Sequence, residues 1–241
     1  MSECLDINKI ARSFRRGTFV KIIIAFYNKK SNIIRPLTFS DLKKLTKLAD
    51  GSLGHYLTKL MSLGIIEKDE LDLYSLRQIV PFCYLFDGLP PCTYIGLLGF
   101  KAHHTEPEPI TALKLLKEAG VTVEENYVIS TKTALKTWHP ETVKGLNFVL
   151  ISEKELFSIP QIEERIKEIV VKESTIRPII LDCTSLTKTA TIAMYNVARK
   201  YFMPLIYIYE ETKELYWIIS PEEVKNMLLE KFKFREQLDE S

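Results

Sequence analysis

The sequence predicts an α/β protein built in two parts, and three observations predict it. Basic residues crowd the first part of the chain, where helical patterns lead into a short hairpin. From residue 92 onward, apolar strand-like runs alternate with helical spacings, the pattern of a mostly parallel sheet with helical crossovers. The last two strand-like runs are separated only by Glu210-Glu211-Thr212-Lys213, which closes the sheet with an antiparallel β-hairpin.

Composition supports a folded chain and excludes several classes. Of 241 residues, 46% are hydrophobic and 27% charged, enough to bury a core. Gly 9 and Pro 11 are too few for a low-complexity or collagen-like protein. No apolar stretch approaches the ~20 residues that cross a bilayer, so no membrane partner is expected. The opening MSECLDINKIARSFRR lacks an apolar signal-peptide core. Cys4, Cys83, Cys92 and Cys183 show no CxxC spacing, so neither a disulfide framework nor a metal site is expected. A cytoplasmic location without a cofactor is the simplest reading.

The formal net charge of +2 hides an asymmetry. Residues 1–90 hold 14 Lys/Arg against 9 Asp/Glu, a net of +5, and the remainder carries −3. Between residues 9 and 47, eleven basic residues face Asp41 alone. Such a segment attracts polyanions by releasing condensed counterions.

Within that basic part, residues 19–28 (FVKIIIAFYN) form an apolar run for a helix of about three turns capped by Thr18, or for a buried strand. Thr38 and Asp41 then make a capping pair for TFSDLKKLTKL, with Leu42, Leu45 and Leu48 on one face. A third helix starts at Asp50. Leu53, Leu57, Leu60 and Met61 form its core stripe, and Gly64 ends it. Ser52, His55, Lys59 and Ser62 fall on other faces, and Tyr56 suits half-buried packing or a nucleic-acid contact equally. IIEKDELDLYSL reads as a tight hairpin, acidic at Glu67, Asp69, Glu70 and Asp72.

Helix, helix–turn–helix and hairpin together resemble the winged helix-turn-helix domain of archaeal and bacterial transcription regulators, over about residues 17–78. The resemblance implies a double-stranded DNA partner. Residues 50–63 would enter the major groove with Ser52, His55, Tyr56 and Lys59, while Arg15, Arg16, Lys43 and Lys44 clamp phosphates. The acidic wing is unsuited to strong minor-groove contacts.

The expected organisation is residues 1–80, a joint at 81–91, and a second domain at 92–241. The joint contains Pro81, Pro90 and Pro91 around Asp87-Gly88, yet Phe82, Tyr84, Leu85 and Phe86 make it too apolar for a free linker. It should pack, against the second domain or a second subunit.

In the second domain, CTYIGLLGF, NYVIS, LNFVLIS, RPIILDC and PLIYIY are strand candidates, with ELYWIIS as the antiparallel last strand. Between them lie PEPITALKLLKEAG, with Pro109 near its start, and QIEERIKEIVVKES, where Pro160 breaks or restarts the helix. TKTATIAMYNVARKY follows, with Ile192, Tyr195, Val197 and Ala198 as candidate buried positions. Ser220, Glu222 and Glu223 open a capped C-terminal helix.

Two strand ends carry unusual residues. One is Gly99-Phe100-Lys101, followed by His103-His104, which read first as solvent-exposed loop histidines. The other is Asp182-Cys183-Thr184-Ser185-Leu186-Thr187-Lys188-Thr189, running straight into a helix. Hydroxyls, helix N-terminal N–H groups and a lysine make an anion cradle. Lysine is disfavoured at the positive end of a helix, so Lys188 there points to a bound anion. The glycines of a Walker A loop and of a G-x-G-x-x-G fingerprint are both missing. Asp182 fits the role of a loop-organising acceptor at a buried strand end.

This pair of motifs resembles the CARF domain, the CRISPR-associated Rossmann fold that senses cyclic oligoadenylates, over about residues 92–219. YIGLLGFKAHH is similar to its first motif. Asp182, Thr184, Thr187 and Lys188 match its Asp-x-Thr-Gly-Gly-Thr-Lys-like second motif, with Ser185 and Leu186 in place of the paired glycines. The resemblance implies a homodimer holding a cyclic oligoadenylate, cyclic tetra-adenylate first, between Gly99, Phe100, Lys101, Thr184, Ser185, Thr187 and Lys188 of both subunits. It further implies a ligand-responsive transcription regulator of antiviral defence. The alternative it leaves open is a metal-independent ring nuclease in which Lys188 and Ser185 act on the messenger.

Overall fold

The computed structural model describes residues 7–11, 14, 16–102, 105–185, 187–209 and 211–233. The chain divides into two compact units, Met1–Pro90 with Lys225–Ser241, and Pro91–Val224.

In the first unit, α1 (Ile7–Ala11) and α2 (Arg16–Ala25) precede a two-stranded ribbon of β1 (Tyr27–Asn28) and β2 (Ile33–Ile34). Then come α3 (Phe39–Thr46), α4 (Asp50–Ser62) and the antiparallel hairpin β3 (Ile66–Lys68) with β4 (Tyr74–Leu76). The first helix starts earlier than expected. Thr18 lies inside α2 rather than capping it, and Asn28 belongs to β1. Burial decides against a strand, because Phe19, Ile22, Ile23 and Phe26 recur at helical spacing and are all fully buried. In α3 the capping box forms as expected: Asp41 N–H donates to Thr38 Oγ1, and Thr38 N–H donates to the Asp41 carboxylate. Leu42 is buried, but Leu45 is 50% exposed, so the predicted apolar face is only partly used. In α4 the stripe Leu53, Leu57 and Leu60 is buried, and Gly64 follows the helix at φ +68°, the left-handed geometry a glycine supplies without strain. Leu37 pairs with Tyr74 through two 2.8 Å backbone hydrogen bonds, adding a one-residue bridge to the hairpin.

The apolar joint is part of this unit. Phe82–Phe86 is buried, partly as a 3₁₀ turn, with Phe82 edge-on to Phe19 at 5.3 Å and Phe86 stacked on Tyr27 at 4.6 Å. It therefore packs on the basic part of the chain, a partner the proline pattern did not indicate. The C-terminal helix α9 (Pro221–Lys233) also departs from expectation, since from Lys225 onward it clusters with the first unit. Phe232 stacks on Phe19 at 4.4 Å, and Lys225 reaches Asp87 at 3.3 Å. At its start, Glu223 N–H donates to Ser220 Oγ at 3.0 Å, the expected cap.

The second unit is α/β, with a mostly parallel six-stranded sheet. Its elements run β5 (Cys92–Leu97), α5 (Glu108–Glu118), β6 (Val123–Thr131), α6 (Lys132–Leu135), β7 (Phe148–Ile151), α7 (Ile159–Glu173), β8 (Ile179–Asp182), α8 (Lys188–Tyr201), β9 (Leu205–Tyr209) and β10 (Glu214–Ile219). The strand order is β7-β6-β5-β8-β9-β10, with only β10 antiparallel. Pro160 sits in the first turn of α7, where its missing N–H costs nothing. The central strands β5 and β8 are buried along their whole length and are mostly apolar, with Thr93 and Asp182 as buried polar exceptions. On α8, Val197 and Ala198 are buried, whereas Ile192 and Tyr195 are 46% and 44% exposed, contrary to expectation. The small residues Ala190, Ala193 and Ala198 with Met194 make the inward face instead.

Candidate functional site

The strand order reverses between the parallel neighbours β5 and β8. From this central pair the chain runs from β5 to β6 on one side and from β8 to β9 on the other, the order that opens a crevice beyond the strand ends. Both motifs singled out in the sequence emerge there.

The loop after β5 is pinned by backbone bonds. Gly99 N–H donates to Ser185 Oγ at 2.8 Å, and Gly99 O accepts from Trp138 Nε1 at 2.9 Å. Lys101 N–H donates to Thr137 Oγ1 at 2.9 Å. This fixes the backbone while the Phe100 ring, 49% exposed, and the Lys101 side chain remain in solvent. Ala102 takes a left-handed φ of +41°. His103 and His104 lie outside the described residues.

The loop after β8 is organised by Asp182, which accepts from Tyr94 Oη at 2.5 Å and from both the N–H and the hydroxyl of Thr184. Burial pushes the Asp182 carboxyl up, and the three donated bonds pull the other way. The Tyr94 phenol is held well above its ordinary range, by burial first and then by the Asp182 charge. Thr184 Oγ1 also accepts from Ile208 N–H at 2.8 Å, which ties the loop to β9. Ser185 is buried between Gly99 N–H and Glu108, donating to Glu108 Oε1 at 3.2 Å. Thr187 caps α8, accepting from Ala190 N–H at 3.3 Å, and Thr189 donates to Leu156 O at 2.8 Å. Leu186 lies outside the described residues. The Cys183 thiol is pushed up to about 12 by burial, which keeps it protonated and inert.

The four hydroxyls of this loop are thus engaged within the protein. They shape the cradle rather than line it. Lys188, the first residue of α8, is exposed, and its side chain makes no hydrogen bond or ion pair among the described residues. The cations open to solvent at these two strand ends are Lys101 and Lys188, accompanied by the Phe100 ring and the helix N-terminal N–H groups of α8. Such a set can hold phosphate oxygens and stack against a flat ring.

Sequence reasoning missed Tyr94, Glu108 and Trp138. Tyr94 and Asp182 are 88 residues apart, and Glu108, buried in the first turn of α5, looks like an ordinary helix-start acid. No local pattern announces either partner.

In the first unit, Ser52 and His55 are exposed on α4, and Lys44 is exposed on α3. Lys43 is paired with Asp50 at 2.7 Å. Tyr56 stacks near Phe14 at 5.9 Å, and Lys59 Nζ sits 5.3 Å from the same ring, so both side chains partly serve packing. Arg15 and the Arg16 side chain lie outside the described residues. At the hairpin tip, Asp69 Oδ1 accepts from Leu71 and Leu73 N–H, and Lys68 pairs with Asp72 at 2.6 Å. The acidic tip is therefore a turn-forming device. Among the described residues there is no group of His, Cys, Asp or Glu that could hold a metal, and no helix long and apolar enough to cross a membrane.

No protein-family model matches the chain, and none of the curated proteins does. Among solved structures, Can2 from Sulfobacillus thermosulfidooxidans in complex with cyclic tetra-adenylate is similar over 53% of this chain and 34% of its own, at 15% identity and TM-score 0.38. Protein VC1899 from Vibrio cholerae is similar over 54% of this chain and 34% of its own, at 12% identity and TM-score 0.42. Csm6 from Enterococcus italicus, bound to cyclic hexa-2'-fluoro-hexa-dAMP, is similar over 61% and 40%, at 11% identity and TM-score 0.39. The chain spans 34–40% of the length of these proteins.

Proposed function

We propose that the protein is a ligand-responsive, DNA-binding transcription regulator whose second unit is a CARF domain and whose effector is a cyclic oligoadenylate, with cyclic tetra-adenylate the first ring to test. The observation that carries the reading is the pair of solvent-facing lysines, Lys101 and Lys188, at the ends of the two central strands where the sheet order reverses. An anionic ring with stacked bases satisfies both the cations and the exposed Phe100. In this reading the domain is a homodimer and the two-fold axis passes through the ring, so that each subunit supplies the same residues. The match of Asp182, Thr184, Thr187 and Lys188 to the second CARF motif supports it. Ser185 and Thr184 support the backbone in place of touching the ligand.

The first unit, in the same reading, is a winged helix-turn-helix that presents α4 to the major groove, with Ser52 and His55 outward and Lys44 on phosphates. Ring cleavage is the weaker reading. Its serine, Ser185, is buried and hydrogen-bonded on both sides.

Calorimetric titration of the purified protein with cyclic tetra-adenylate tests the proposal. Binding is expected, with one ring per two chains, and Lys188→Ala should weaken it by about tenfold or more, the loss of a charge-assisted contact. A null titration, or an Lys188→Ala protein that binds like the wild type, removes the effector from the account.

A further inference from the structure

A second feature, in the first unit and apart from the sites above, is an open groove of about 500 Å³ along the outer side of α2. Its floor is Val20 and Ile24 of α2 with Leu45 of α3, and Lys21, Lys30 and Arg35 stand around it. Helix α2 is apolar nearly all the way round, a pattern that ordinarily marks a helix covered on every side. Its inner stripe is fully buried, yet Ile24 is 40% exposed on the other side. Leu45, which the period of α3 assigns to the core, is 50% exposed over the same groove. The cations are also weakly answered. Lys21 and Lys30 form no ion pair among the described residues, Arg35 acts on the Asp41 carboxyl without a close ion pair, and Lys29, also on the rim, reaches Asp87 only at 3.8 Å between two exposed side chains.

An apolar floor inside a ring of weakly answered cations selects one kind of occupant. We propose that this groove docks an acidic amphipathic helical segment of a partner protein, with apolar side chains on Val20, Ile24 and Leu45 and carboxylates on Lys21, Lys30 and Arg35. Duplex DNA answers the charges but leaves the floor wet. A small anion does the same, and an open groove covers too little of a small apolar ligand, since such ligands need most of their surface enclosed.

The test uses the full chain, uniformly ¹⁵N-labelled, and three probes. The first is a synthetic peptide of about four helical turns with leucines on one stripe and glutamates flanking it. The second has the same composition scrambled to destroy the stripe. The third is a short DNA duplex. The striped peptide should shift the amides of residues 20–25 and 45 saturably and bind about tenfold tighter than the scrambled one. Ile24→Glu, at an exposed position, should abolish that difference while its thermal midpoint stays near wild type. Lys30→Glu, which touches no core, should weaken the striped peptide and keeps the test decisive if Ile24→Glu misfolds. Equal binding of the two peptides, or duplex DNA as the stronger ligand at these same amides, overturns the proposal.

Discussion

At the scale of single residues, the site is held by a contact that depends on a missing side chain. Tyr94 and Gly96 point to the same face of β5, and the Tyr94 ring lies back across Gly96 to reach Asp182. A Cβ on Gly96 would overlap the phenol, coming within 2.6 Å of Cε1. Gly96→Ala must therefore displace the ring and strip one of the donors from the buried Asp182 carboxylate. The expected cost is about 1–3 kcal/mol, the usual range for overpacking a filled core. Urea denaturation measures it, and an unchanged midpoint would show that the ring does not need this space. Nothing in the sequence around Tyr94 foretells the arrangement, because its partner lies on a strand that becomes a neighbour only in the folded sheet. Asp182 was legible for the opposite reason. Its role as a loop-organising acceptor follows from its local position at a strand end, as does the placement of Lys188 at a helix start.

At the scale of elements, hydrophobic period and punctuation carried the reading, and they erred where burial depends on what lies opposite. Pro160 and Gly64 act through their own backbone, and Thr38 and Ser220 through hydroxyls that accept from N–H groups three residues on, so their meaning is local and was legible. Leu45, Ile192 and Tyr195 fit the period of their helices, but period gives a stripe without saying whether a neighbour covers it. The entry to α7 offers a prediction of local origin that the sequence concealed. Glu155 accepts from Ser152 N–H at 2.8 Å and from Arg165 Nε at 2.9 Å, while the adjoining Leu156 O receives Thr189. The Ser152 backbone bond, the Ser152 side chain and Arg165 together hold the Glu155 carboxyl down to about 2. A carboxyl held below its unfolded value stabilises the fold while ionised. That contribution is present above the unfolded pKa near 4.5 and is lost as pH falls toward about 2. Glu155→Gln should therefore be less stable than wild type at neutral pH, with the gap closing across that window. Denaturation midpoints of both proteins at a series of pH values check it. A gap that stays constant down to pH ~2 would mean the ionised carboxylate is not what matters there.

At the scale of the whole molecule, charge and chain path frame the last prediction. The polypeptide passes between its two units twice, once at 90/91 and again within α9 at 224/225. The proposed effector site lies in the second unit and the proposed DNA surface in the first, so regulation requires a coupling free energy between them. Linkage makes that coupling reciprocal: whatever factor the ring imposes on DNA affinity, DNA must impose on ring affinity. Couplings of this kind are typically about 5–150-fold. Two titrations on the full chain therefore check one number: promoter DNA with and without saturating cyclic tetra-adenylate, and the ring with and without DNA. Lys188→Ala should remove the ring-dependent change in DNA affinity. Each experiment should be run at several salt concentrations, because a basic surface releases counterions and log K should fall with log salt by about 0.9 per phosphate contacted. A flat salt response would mean that the basic part of the chain does not bind phosphates, and would favour a protein-docking role for the first unit. A steep response with no reciprocal factor would leave a DNA-binding protein and a ring-binding protein in one chain without regulation between them, and the regulator reading would then fail even though both sites bind.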